Sequence, residues 1–386
     1  MKKRLKILIL CPYYGIYFRG AETFAEELRK IFSKKYFCRI VSFPKKMGEK
    51  LKKEDATFTR KNSISLTKKV MDLIKRKKLY FLFKLIPSNL SIHSERDYLF
   101  EKIVIREIIK TKPDIIIHQC GAGIQKFLNN LKKENELKFK TIAINASGIC
   151  WQELRVALEK PDFYVCQTPS QLEFIKKYAP KTKSILIPNG ADIWRFKPTV
   201  KELSISEIKK LSKNKNAMLQ HPIIISTAAL EPAKKVDFLI RAVAKLKKGS
   251  ILLTGDGSQK EYILNLGRSL LGDRFIHLGI VPYEVLPRVY KTGDLFVLCS
   301  ENEPFGNVFI EAMACGIPVI ARDEPDRHWM IGNEGGYYSK MESEENLAAD
   351  IEKAYALKKK FNPRKRAEKF SWDTISEEYE KLFEIR

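Results

Sequence analysis

Two carboxylates eight positions apart, Glu303 and Glu311, bracket the stretch E-P-F-G-N in a chain that is otherwise strongly basic. A carboxylate can clamp a sugar diol through two hydrogen bonds. Residues 307–315 have helical spacing, with Asn307 suited to the N-cap or first turn and Gly316 to the position after the helix. The start of such a helix offers backbone N–H groups and the positive end of its dipole to a phosphate or a sugar hydroxyl. Gly306 lets the backbone approach a ligand. Glu311 lies one turn into the helix, within reach of a bound ribose, and Glu303 lies in the loop before the turn. Two acids cannot hold a diphosphate, so a cation must come from elsewhere. Lys234 or Lys235, in the turn after an expected strand at Ile223–Ser226, is the candidate. The same spacing suits equally well two solvated acids near a helix start, where the dipole favours negative charge.

The elements that must position these groups alternate along the chain. Lys6–Cys11, Cys38–Phe43, Ile115–His118 and Thr141–Asn145 are strand-like, and Ala21–Phe32 has helical spacing. The pattern starts again with Ile223–Ser226, Ile251–Thr254, Phe275–His277, Leu295–Cys299 and Pro318–Ala321. Strands separated by helices imply parallel sheets with helices on both faces, here two doubly wound α/β units in tandem. Lys197–His221, rich in Lys, Ser and Asn, reads as a linker with one short helix. The tail 370–383 is an amphipathic helix capped by Ser371 or Asp373. Ligands of such folds gather at the carboxyl ends of the strands, and a crevice between the units is the expected active site.

The length of 386 residues suits two domains, and 44% hydrophobic content builds real cores. No apolar run reaches the ~18 residues of a membrane-spanning helix. The start, M-K-K-R-L-K-I-L-I-L-C-P, reads as a first buried strand and not as a signal peptide. Seven cysteines, odd in number and without a C-x-x-C pair, point to reduced thiols in a cytosol and away from a disulfide framework or a zinc site. The net charge of +25 is lopsided: residues 1–190 hold 40 Lys+Arg against 18 Asp+Glu, the remainder 31 against 28. Residues 45–84 alone hold 14 basic against 4 acidic residues, and K-R-K-K-L-Y-F-L-F-K interleaves them with large apolar side chains. On a helix this suits the boundary of an anionic membrane, and equally a solvated basic face over an ordinary core. A nucleic-acid-binding protein is the other class that such charge allows. No helix-turn-helix, RNP or zinc pattern supports it, and no nucleic acid is expected as a partner.

Several segments together resemble the retaining GT-B glycosyltransferases of the family-four type, the glycosyl transferases group 1. They are E-P-F-G-N with E-A-M-A-C-G-I-P-V-I after it, I-P-N-G-A-D-I-W-R-F-K-P (187–198), T-G-D-G-S (254–258), H-L-G-I-V-P-Y-E-V-L (277–286), F-S-W-D (370–373) and R-G-A-E-T (19–23). The resemblance is specific from about 185 to 373 and weak between about 40 and 110. It implies an acceptor-binding Rossmann-like domain at 1–190, a nucleotide-sugar-binding one at 191–368, and a helix at 369–386 returning to the first. It implies that Glu311 holds the ribose of a UDP- or GDP-sugar and that Glu303 orients the sugar at the reacting face. Phe305, Gly306 and Asn307 would offer N–H groups, Lys234 would neutralise the departing diphosphate, and the Gly20 loop would approach it. His118 stands one residue from where the family's acceptor side often carries a histidine; a satisfied, buried strand-end histidine is the competing reading. Where the family has an arginine in G-R-L, this chain has A-A-L with Ala229. The implied reaction is front-side transfer to an acceptor hydroxyl, lipid-linked or on a glycan, with no cofactor. D-E-P-D (323–326) lacks D-x-D spacing, so no metal is expected. A GT-B nucleotide-sugar epimerase is the alternative within the fold. G-I-Y-F-R-G (15–20) fails the dinucleotide pattern G-x-G-x-x-G.

Overall fold

The computed structural model describes residues 4–16, 20–47, 95–301 and 303–385. The basic segment 45–84 falls outside these residues except for its first three positions. The chain divides into two compact units, Met1–Pro188 with Ile375–Arg386, and Asn189–Thr374.

The first unit runs β1 (Lys6–Leu10), α1 (Gly20–Phe32), β2 (Phe37–Val41), α2 (Glu95–Thr111), β3 (Ile115–His118), α3 (Ala122–Glu134), β4 (Lys140–Ile144), α4 (Trp151–Leu158), β5 (Phe163–Cys166), α5 (Pro169–Tyr178) and β6 (Ser184–Leu186). All its strands are parallel, in the order β2-β1-β3-β4-β5-β6. The central strands are continuous apolar runs because helices cover both faces of the sheet. I-I-I-H of β3 and F-Y-V-C of β5 are buried at every position. The chain's last helix, α14 (Trp372–Glu384), supplies this unit's final segment. Its Tyr379 and Phe383 rings lie 6.3 and 5.2 Å from that of Phe32. Lys140 Nζ donates to the carbonyls of Leu382 and Phe383, at 3.2 and 2.8 Å, satisfying groups that a helix end leaves open.

The second unit contains α6 (Ile205–Ser212), β7 (Ile223–Thr227), α7 (Val236–Ala244), β8 (Ser250–Thr254), α8 (Lys260–Leu271), β9 (Phe275–His277), α9 (Leu286–Thr292), β10 (Leu295–Val297), α10 (Asn307–Ala314), β11 (Val319–Arg322), α11 (Pro325–Gly335), β12 (Gly336–Ser339), α12 (Glu344–Leu357) and α13 (Pro363–Glu368). Alternation along the strands divides its core. Ile225, Leu252, Phe296 and Val319 pack with residues of α9, α10 and α11, whereas Ile224, Ile251, Leu295 and Ile320 pack with α7 and α12. The segment 197–221, read from sequence as a linker, is instead part of this unit. Leu203, Ile208 and Ala217 are buried in its core, and Arg288 holds Glu207 at 2.8 Å. Its polar composition reflects a half-exposed helix with a Ser204–Glu207 capping box.

The sheet order is β12-β11-β10-β7-β8-β9. The first strand, β7, therefore has β8 on one side and β10 on the other, and the order reverses between β7 and β10. At such a switch point the loops leaving the carboxyl ends of the two strands diverge and leave a crevice. Lys234 follows β7 and Glu303 follows β10.

Candidate donor site in the second unit

The loop after β7 closes in a 3-10 turn at Pro232–Lys234, with Lys235 in the left-handed region at φ 50°. Two contacts stitch this turn to the loop after β10. Glu301 N–H donates to the Ala233 carbonyl at 3.0 Å, and Ser300 Oγ lies 3.5 Å from the same oxygen. Lys234 Nζ is thereby brought to 2.5 Å from Glu303 Oε2, both side chains partly open to solvent. Behind the β7 loop, Gly255 and Gly257 leave no room for a side chain: a Cβ would stand 1.8 Å from the Ala228 carbonyl oxygen at the first and 2.5 Å from that of Leu230 at the second. The T-G-D-G-S segment is thus the floor on which the A-A-L loop rests.

Gly306 turns the chain into α10 with φ 93° and ψ 59°, so it is the N-cap and Asn307 opens the first turn. A Cβ at Gly306 would lie 2.8 Å from Phe309 Cδ2 and 3.2 Å from Glu303 Cγ. The Phe305 ring is buried in the core, which leaves only its backbone available to a ligand. Asn307 Oδ1 accepts from Asn189 Nδ2 at 3.1 Å. That tie joins the F-G-N turn to the N-G-A-D segment, and N-G-A-D in turn pairs with F-S-W-D. Ala191 N–H donates to the Phe370 carbonyl at 2.8 Å, and a Cβ on Gly190 would lie 2.3 Å from Trp372 Cδ2.

Glu311 is buried on α10, and its Oε2 accepts from the Tyr290 hydroxyl at 2.8 Å. Burial pushes the Glu311 carboxyl up from 4.5 to about 7, with the Tyr290 hydrogen bond acting in the opposite sense. The arrangement joins a lysine–glutamate pair, a helix start and a buried acid one turn further on. It can hold an anion at the turn and a polar diol beside the acid.

Residues 207–371 match the family model of glycosyl transferases group 1. The chain carries a group 1 glycosyl transferase domain. It is 27% identical over 222 residues to an uncharacterized glycosyltransferase of Methanocaldococcus jannaschii, covering 53% of this chain and 55% of that protein. It is 28% identical over 286 residues to a probable sucrose-phosphate synthase of Thermosipho melanesiensis, covering 69% and 63%. The matches thus span between about half and two thirds of these relatives' own length. Among solved structures, the sucrose-phosphate synthase of Thermosynechococcus elongatus superposes with a TM-score of 0.69 at 18% identity over 98% of both chains. Anabaena HepE, in complex with UDP-glucose, superposes with 0.68 at 19% identity over 99% of this chain and 100% of that one. The fold is that of the GT-B glycosyltransferases.

Lys234, Glu303, Phe305, Gly306, Asn307 and Glu311 all fall within the group 1 domain. The remaining two sequence candidates lie in the first unit, at its own switch point between β1 and β3. His118 ends β3, is 1% exposed, and has both ring nitrogens engaged. Cys120 N–H donates to Nδ1 at 3.3 Å, so Nε2 carries the proton and meets Gln125 Oε1 at 2.7 Å. Burial lowers its pKa to about 4, and the ring is neutral at physiological pH. It lines a cavity of about 240 Å³ with Cys11, Tyr13, Glu22 and Cys120. Gly20 opens α1, exposed, with empty space where a side chain would project.

Sequence reasoning missed Tyr290, which gives no local sign of reaching Glu311, and Arg327. Arg327 does leave a trace: a cation three residues into a Pro-started helix runs against the helix dipole.

Proposed function

We propose that the chain transfers a sugar from a UDP- or GDP-sugar to an acceptor hydroxyl with retention of anomeric configuration. The observation that carries this reading is the Lys234–Glu303 contact of 2.5 Å at the start of α10, with Glu311 one turn inside. A lysine, the N–H groups of the turn and a helix dipole form a place for a diphosphate. Glu311 faces the position a ribose diol would take. Without a nucleotide, Glu303 serves as the lysine's counter-ion. When the diphosphate takes over that role, Glu303 is released to hydrogen-bond the sugar.

In the reaction so read, Lys234 and the backbone N–H groups of Gly306 and Asn307 stabilise the negative charge that grows on the departing diphosphate. That oxygen helps accept the proton of the attacking hydroxyl on the same face. The protein's part is orientation and preorganised charge, acting without a metal. The acceptor is proposed to be lipid-linked or glycan-borne. The same proposal keeps His118 as an acceptor-side residue and Gly20 among the residues that bind the donor's diphosphate. For His118 the role is confined to shaping, since its ring is neutral and already bonded on both sides.

The test is a panel of nucleotide sugars, UDP-glucose first, read by binding and by slow hydrolysis, with and without EDTA. Tight binding of one donor with EDTA-insensitive turnover is expected. A chain that binds none of them is not a transferase of this class.

A further inference from the structure

Arg327 is 3% exposed, and no carboxylate pairs with it among the described residues. Its guanidinium instead grips the donor turn from behind. Nη2 donates to the Glu303 carbonyl at 2.7 Å, and Nη1 donates to the Phe305 carbonyl. The same group stands 5.6 Å from the centre of the Phe309 ring on the first turn of α10. A buried cation without an ion pair costs several kcal/mol of desolvation. Here it also sits in the first turn of α11, where the dipole opposes positive charge. A fold that needed only to close this loop would use an apolar side chain.

We infer that Arg327 is the positioning residue of the diphosphate subsite: it holds the turn by the carbonyls of Glu303 and Phe305 and, through the Phe305–Gly306 peptide, aims the N–H groups at the start of α10 at the nucleotide's β-phosphate. The inference rests on the donor reading above. Its first step is covalent geometry. In a trans peptide the carbonyl and the following N–H point in opposite directions, so a Phe305 oxygen turned toward Arg327 turns the Gly306 N–H away from it. Asn307 and Val308 then supply the next two N–H groups, the first of the helix, which have no partner among the described residues. Steric fit makes the arrangement specific. A Cβ on Gly306 would stand 3.1 Å from Arg327 Nη1, so a side chain there would press on the guanidinium that holds the turn.

The second step is charge. The guanidinium bonds only backbone carbonyls and lies near the Met330 sulfur, and the carboxylates of Glu303, Glu324 and Asp326 offset its charge only from beyond ion-pair distance, so an incoming anion can still draw on it. The amino end of α10 adds its dipole to it. A dianionic β-phosphate gains from both, whereas a nucleoside monophosphate, whose single phosphate occupies the position nearer the ribose, gains much less.

Calorimetric affinities for UMP and UDP, or GMP and GDP if the chain prefers guanine, test this through their ratio. In Arg327→Met the diphosphate preference should collapse about tenfold or more, while monophosphate affinity stays within about twofold. Arg327→Lys keeps the charge but loses the two-pronged grip, and its ratio should fall by a smaller factor. An unchanged ratio in Arg327→Met, whether both affinities persist or both fall together, overturns the inference. Should that variant fail to fold, Arg327→Lys decides, and an unchanged ratio there has the same force. A wild-type chain that binds no nucleotide overturns the donor reading itself.

Discussion

Lys234 Nζ and Glu303 Oε2 meet at 2.5 Å across two loops that are 69 residues apart in sequence. On the donor reading proposed above, an ion pair so placed, on the carboxyl side of adjacent parallel strands, would be exchangeable, an arriving diphosphate competing with the carboxylate for the lysine. Removing either partner should therefore have different consequences. Lys234→Met should lower kcat about 100-fold and raise the donor KM, since the leaving group loses its cation. Glu303→Gln should leave nucleoside diphosphate affinity equal or stronger and act mainly on kcat. Steady-state kinetics with titrated UDP or GDP as competitor separate the two. Equal losses in both variants would contradict the exchange.

Glu311 and Tyr290 make a second pair, with a consequence for pH. The groups facing the Glu311 carboxyl are the Tyr290 hydroxyl from α9 and the Cys315 thiol after α10. Its pKa rises from 4.5 to about 7 on folding. A raised carboxyl pKa contributes stability that is fully present below 4.5 and lost as the pH rises through about 7, because the unfolded chain releases the proton first. Glu311→Gln should therefore be more stable than the wild type at pH 8, by on the order of 1–3 kcal/mol, and lose that advantage by pH 4. The same variant should bind nucleotide more weakly, and wild-type affinity should rise as the pH passes 7. Thermal unfolding and nucleotide titration across pH 4–8 check both signs. A residue that costs stability at working pH is what a binding role predicts.

How far these relationships could be read without coordinates depended on chain distance. Strands such as Ile115–His118 and Phe275–His277 are short apolar runs between turn signals, and the structure places them at those residues. β5, β6 and β12 escaped notice for separate reasons. F-Y-V-C is only four residues long and lies four residues after a helix, S-I-L is three half-exposed residues, and G-Y-Y-S starts on a glycine required by packing, where a Cβ would stand 2.0 Å from the Val319 carbonyl oxygen. The acids around the F-G turn were visible because their partner, the helix start, is adjacent in sequence. Tyr290 and Arg327 were not, because the bonds that give them meaning close only when β10 and β11 lie side by side.

Gly190 offers a stability test of a contact between distant motifs. Its hydrogen faces the Trp372 ring, and a Cβ would come within 2.3 Å of it. Backbone hydrogen bonds between Ala191 and Phe370 and between Trp372 and Ala191 hold the two strands of chain together, so neither can retreat easily. Gly190→Ala should cost about 1–3 kcal/mol by overpacking. The added substitution Trp372→Leu should recover part of that loss by making space. A denaturant series on the two single variants and the double variant gives the coupling. Additive losses would mean that the clash is relieved elsewhere.

Attachment to an anionic membrane, one of the two readings of segment 45–84, would rest on the basic run Lys75, Arg76, Lys77 and Lys78 with Leu79, Tyr80, Phe81, Leu82 and Phe83 after it. Each lysine or arginine near an anionic bilayer contributes about 1 kcal/mol, and the effect decays within a Debye length. Replacing the four basic residues by glutamine should therefore remove up to about 4 kcal/mol of vesicle affinity and abolish its salt dependence. Leu79→Ser with Phe81→Ser should weaken binding while leaving the salt dependence in place, because it removes only the apolar share. Flotation with vesicles containing phosphatidylglycerol, repeated at low and high salt, distinguishes these outcomes. Wild-type protein that stays at the bottom of the gradient at low salt would assign the charge to a solvated surface, and the acceptor would then have no need to be presented at a membrane.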